Sequence, residues 1–305
     1  MKLELTSIKY IIPLLLLSFN AYSLELSDKV AACNAALEQG DLTTATKAAD
    51  EALQQQSDHH AALLCKGRVL GAAGKYNEGV NVLELATKTA QPGFEQIINY
   101  LLIGSLHKNN QKYTEAIANY EKSLKICESV KDNKFKRVNL NLIGQSHALN
   151  GDLNAALSSY LAGSKLANND NERAENFEYL GATYSALGQH DNAIEYQLKG
   201  VLAQQKAGTL DDYANASLAL GKVYALAKEY PNAENTYNKL IKFAKENGGA
   251  YYEAKANYDL AQMKAASGDA GKAKTMMADA LKLAKSIGDT RLATEIETSM
   301  NKLAN

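Results

Sequence analysis

Apolar side chains recur every three or four positions through most of this chain, and glycines interrupt the pattern at intervals. The stretch Phe177 to Gln205 shows the unit most clearly. Phe177, Leu180, Gly181 and Tyr184 fall on one face of a helix with 3.6 residues per turn. Gly188 ends that helix, because glycine takes positive φ at little cost. Asp191 is placed to cap a second helix carrying Ala193, Ile194 and Ala203. Two helices of a hairpin approach closely only where side chains are missing at the crossing, and Gly181 and Ala193 are the small residues there. The pattern predicts a helical hairpin.

Shifting this pattern along the chain finds it seven times. The small residues of the first helices fall at Cys33, Gly67, Gly104, Gly144, Gly181, Gly221 and Ala261. Each is followed twelve positions later by a second small residue, as in Cys33 and Ala45, Gly181 and Ala193, or Ala261 and Ala273. Gly40, Gly74, Gly151, Gly188 and Gly268 occupy the turns, while Gln111 and Lys228 stand at the third and sixth, which predicts looser turns there. β-Branched residues never alternate over several positions, so no strand is expected. Asp289 opens a last helix with Leu292, Ile296, Met300 and Leu303 on one face. Arg291, Glu295, Glu297 and Lys302 lie elsewhere on it, as a cap with a polar back requires.

Phe177-x-x-Leu180-Gly181-x-x-Tyr184 followed by Ala193-x-x-x-Gln197, and Leu220-Gly221-x-x-Tyr224 followed by Ala233-x-x-x-Tyr237, resemble the tetratricopeptide repeat. Gln197 departs from the aromatic residue of that pattern. The resemblance implies an all-α fold, a right-handed α-solenoid of seven hairpins over residues 24–287, with a capping helix over 288–305. It also implies that the free faces of the first helices line a concave groove for a protein or peptide ligand. The candidate peptide contacts are Asn141 and Gln145 in the fourth hairpin, and Glu175, Glu178 and Tyr179 in the fifth. Asn215 and Lys222 follow in the sixth, with Lys255, Tyr258, Asp259 and Gln262 in the seventh. Tyr179 and Tyr258 read as lying off the packing stripe, available to a partner. Leu64, Ile98, Leu101 and Leu102 make the same face more apolar near the N-terminus, either packed between adjacent first helices or forming an apolar end of the groove. Asn34 and Arg68 stand without the full set by which some family members clamp a peptide C-terminus.

Composition narrows the partners. The 305 residues carry 33 Lys and Arg against 34 Asp and Glu, which offers no electrostatic case for nucleic acid. Residues 1–23 read as a cleaved signal peptide: Lys2 and Lys9, an apolar run from Ile11 to Phe19, then Ala21-Tyr22-Ser23. The run is shorter than the roughly 20 apolar residues of a spanning helix and contains Pro13. The mature protein is therefore expected to be exported, periplasmic or secreted, with no membrane insertion after cleavage. Cys33, Cys65 and Cys127 read as small buried residues at helix contacts; a Cys33–Cys65 disulfide depends on the distance between neighbouring repeats.

No catalytic set appears. His107 and His147 occupy the position of Tyr184 and Tyr224 and read as core or half-core side chains; His59 and His60 sit between hairpins. HExxH, GxSxG, P-loop and GxGxxG patterns are missing, and Asp211-Asp212 reads as helix-start charge. The expectation is a non-catalytic interaction scaffold of a bacterial envelope, without cofactor or metal. The alternative is a chaperone-like assembly factor for an envelope or secretion complex.

Overall fold

The computed structural model describes residues 24–304; the expected signal segment lies outside them. Among the described residues there are fifteen helices and no strand. Helix α1 covers residues 24–38, followed by α2 (Leu42–Gln55), α3 (His60–Ala72), α4 (Tyr76–Thr89), α5 (Phe94–Asn109), α6 (Tyr113–Val130) and α7 (Asn133–Leu149). Then come α8 (Leu153–Ser164), α9 (Asp170–Ala186), α10 (His190–Ala207), α11 (Leu210–Leu226), α12 (Tyr230–Glu246), α13 (Ala250–Ala266), α14 (Ala270–Ser286) and α15 (Thr290–Ala304). The all-α expectation is met.

The helices fall into two compact units, one ending at Asn150 and the next beginning at Gly151. Sequential helices pack on each other in both. Alternate helices also touch: α3 meets α5 and α5 meets α7 in the first unit, while α9 meets α11 and α11 meets α13 in the second. The first helices of the hairpins thus form a continuous layer within each unit.

The second-helix alanines twelve residues after the first-helix small positions are sealed: Ala45, Ala116, Ala156, Ala193, Ala233 and Ala273 are wholly buried. What fills the space over Gly67, Gly104 and Gly221 is a side chain sixteen residues on. A β-carbon at Gly104 would stand 2.5 Å from the Tyr120 ring, and one at Gly221 would stand 2.6 Å from Tyr237. Gly67 meets Leu83 in the same way, at 2.6 Å. In the hairpin of α3 and α4 the twelve-residue partner also comes close, for a β-carbon at Gly79 would lie 3.0 Å from the Gly67 carbonyl.

Three expectations need correction. The turns at Gln111 and Lys228 are as tight as the glycine turns. Both residues take positive φ, 59° and 62°. The following amides, Lys112 N–H and Glu229 N–H, donate to His107 and Tyr224 carbonyls at 2.9 Å, as Gln189 N–H does to Tyr184. The helix-ending hydrogen bond dictates the conformation whatever the residue. Asp191 does not cap α10; Gln189 holds that position without a side-chain bond, and Asp191 lies in the first turn, where its charge still favours the helix N-terminus. Cys33 and Cys65 are bonded to each other, with α-carbons 6.4 Å apart, and tie α1 to α3. Cys127 is the free, buried cysteine, and burial, with Asp132 nearby, pushes its thiol up to about 11.

At the other end, Asp289 accepts the Leu292 N–H at 2.8 Å and starts α15. Leu292 and Ile296 are buried against Ala261, Met277 and Ala284, with Met300 beside them. Leu303 stays exposed.

Candidate peptide-binding surface

The sequence-predicted residues divide between the two units. In the first, Asn141 is buried, so it presents no surface contact. Gln145 is half-buried and accepts from Lys108 Nζ of α5 at 2.8 Å. Asn34 and Arg68 are similarly joined, Nη1 to Oδ1 at 2.8 Å, across α1 and α3. Leu64, Ile98, Leu101 and Leu102 pack into the clusters between neighbouring helices, which selects burial over an open apolar groove.

In the second unit, α9 carries Glu175, Glu178 and Tyr179. Tyr179 stacks on the Tyr160 ring of α8 at 4.9 Å and donates its hydroxyl to Glu175 at 3.2 Å. Glu178 reaches solvent, yet the surrounding protein raises its carboxyl above the usual range, with Glu175 and Asp212 adding repulsion. Asn215 of α11 is exposed and donates to the Tyr252 hydroxyl at 3.4 Å. Asp212 belongs to a capping box with Thr209, the helix-start role read for it.

Tyr258 is a correction. It is 1% exposed, not off the packing stripe. Its hydroxyl meets Ser299 Oγ of α15 at 2.6 Å and accepts from Gln262 Nε2 at 2.6 Å. The physical reason is α15, which covers the face of α13 that a further hairpin would otherwise cover. Above the ring, at 4.9 Å from its centroid, lies Lys255 Nζ. That ammonium bonds Asp259 at 2.7 Å and Glu295 at 3.4 Å. Burial works against the Lys255 charge, but the two carboxylates outweigh it and raise its pKa. Burial also raises the Asp259 carboxyl, only partly offset by Lys255.

Lys222, Lys255, Asp259 and Gln262 share one cavity of about 330 Å³, with Glu295 on its rim and Tyr237 and Met263 beneath. Lys222 is exposed at the end of a first-helix turn, with no ion pair among the described residues. This cavity has both charges, an amide and an apolar floor, the chemistry that fits main-chain groups and mixed side chains of a polypeptide. Sequence reasoning missed Glu295. Its signal was the forty-residue register of the last hairpins, which carries Lys255 onto Glu295.

His59 and His60 hold structural positions. His59 Nδ1 accepts the Ala62 N–H at 3.3 Å as the cap of α3, and His60 Nδ1 lies 3.1 Å from the Ala86 carbonyl. Among the described residues no group of three or more His, Cys, Asp and Glu is placed to hold a metal.

Helical hairpins whose first helices form a shared layer define an α-solenoid repeat protein. The family profile of the tetratricopeptide repeat matches residues 95–169 and 172–246, and these segments belong to the tetratricopeptide repeat family. Arrays of this family generally act as non-catalytic protein-interaction scaffolds. Among solved structures the apo form of RapI is similar, with a TM-score of 0.70 at 11% identity over 92% of this chain and 82% of that one. A tetratricopeptide repeat protein from Parabacteroides merdae is similar at 0.59 and 12%, over 92% of this chain and 100% of that one. A signal transduction ATPase with a tetratricopeptide repeat sensor from Pyrococcus horikoshii is similar at 0.66 and 15%, over 86% of this chain but 41% of that one. At these identities the likeness is one of fold. A search among curated proteins found no match.

Proposed function

We propose that this chain is an exported, non-catalytic scaffold of the bacterial envelope that holds a polypeptide segment against the exposed face of α9, α11 and α13. The cavity around Lys222, Lys255, Asp259 and Gln262 carries the reading. Helices α9, α11 and α13 have eight acidic residues against four basic ones, so a segment bearing basic side chains is favoured. The Cys33–Cys65 disulfide supports export, since such bonds persist in oxidising compartments.

Peptide arrays probed with the wild-type chain and a Lys222→Glu, Gln262→Glu variant test the site. Both residues are exposed, so the variant keeps its fold. A bound set rich in Lys and Arg that the variant loses or redistributes is expected; identical binding patterns refute the site. N-terminal sequencing of the native protein tests export, with Leu24 as the expected first residue and Met1 as the refuting one.

A further inference from the structure

A second cleft in the later unit shares no residue with the cavity around Lys222. One wall is α10, which presents Leu198 and Leu202 at 41% and 50% exposure, one helical turn apart. The other wall is α12, with Asn232, Asn235 and Lys239, and the floor contains Tyr213 and Tyr224 of α11. The space is about 260 Å³, below the usual range for a small-molecule pocket and suited to one or two side chains.

Three features limit what can enter. Lys239 is the only charged residue lining the cleft, and it has no ion pair among the described residues. No carboxylate lines it. Helices α10, α12 and α14 carry nine lysines against five acidic residues, the reverse of the balance on α9, α11 and α13. Leu198 and Leu202, at i and i+4, each leave about half of their surface uncovered, where a purely solvated face would carry polar residues. Together the walls ask for apolar side chains flanked by negative charge. The tyrosine floor lies recessed between two helices, where side chains reach and a flat lipid surface does not.

We propose that the α10–α12 cleft is a docking site for an acidic amphipathic helix of a partner protein, which seats its apolar side chains against Leu198 and Leu202 and a carboxylate by Lys239. This is helix-in-groove recognition, with charge setting the orientation. It engages the second helices of the hairpins and so leaves the first-helix face free for the segment proposed above.

The probe is a synthetic amphipathic peptide of Leu and Glu, labelled for fluorescence anisotropy against the full chain. A matched Leu and Lys peptide and phosphatidylglycerol vesicles are the comparison arms. The Leu and Glu peptide should bind saturably and weaken with salt. Leu198→Asp with Leu202→Asp should lower affinity about tenfold or more, and Lys239→Glu should lower it as well. All three residues are exposed, so unchanged melting curves are expected alongside. Lys222→Glu should leave this binding intact, which separates the outcome from that of the first site. Failure of the Leu and Glu peptide to bind, equal affinity for both peptides, undiminished binding by the leucine variant, or binding to vesicles alone would each overturn the proposal.

Discussion

A β-carbon on Gly181 would stand 2.7 Å from both Cγ and Nε2 of Gln197, sixteen residues later on the partner helix. Gln197 is 2% exposed and occupies the space that tyrosine fills over Gly104 and Gly221. At Ala261 the equivalent residue is Met277, an unbranched side chain that packs in the same cluster. The residue tolerated at the crossing is thus set by what lies above it.

Gly181→Leu should destabilise the fold by roughly 1–3 kcal/mol or more, because an already filled crossing is overpacked. Gly221→Ala should cost more than Gly181→Ala, since the Tyr237 ring is rigid and buried while Gln197 can shift its amide. Urea titrations of the three variants give the order. Indistinguishable curves for wild type and Gly181→Leu would remove the close crossing from the argument.

Gln111 and Lys228 bear positive φ without being glycine. An L-residue in that region costs about 1–2 kcal/mol, against about 0.5–1 kcal/mol for the extra unfolded-state freedom of glycine. Gln111→Gly and Lys228→Gly should each stabilise by about 0.5–1 kcal/mol. A drop in melting temperature for either would show that its side chain contributes more than its backbone loses.

The Cys33–Cys65 bond spans 32 positions and joins the first two hairpins. Cys33→Ser with Cys65→Ser, or reduction, should cost roughly 2–4 kcal/mol and loosen α1 and α2 first. Hydrogen exchange localises the loss. Thiol titration of the unreduced, denatured protein should find one free group, Cys127; three would show that the bond does not form.

Lys255→Met should destabilise at neutral pH by roughly 1–2 kcal/mol, because Asp259 loses its cation while partly buried. Asp259 has a folded pKa above its unfolded value, so its contribution to stability falls as pH rises from the unfolded to the folded pKa and is fully lost above the folded pKa. The difference between variant and wild type should therefore shrink as pH falls through that raised pKa and the carboxyl takes up a proton. A pH-independent difference would mean that the lysine acts through its contact with the Tyr258 ring instead.

The hairpins, their turns and the capping helix were legible in the chain because they rest on local periodicity: small residues at the crossings, glycines at the turns, Asp289 before an amphipathic run. Each such signal is contained within about one hairpin. The candidate surface was legible only in part. Lys222, Lys255, Asp259 and Gln262 were assigned to one face by helical register, and in the structure they line one cavity. Tyr258 was misplaced because burial depends on what covers a face, and in the last hairpin α15 covers it. Asn141 is buried as well, on a face that register alone leaves open. The Cys33–Cys65 bond required the spacing of α1 and α3, and the cleft beside Leu198 and Leu202 required the separation of α10 and α12. Periodicity assigns a side chain to a face of its own helix; only packing between hairpins decides whether that face meets protein, solvent or a partner.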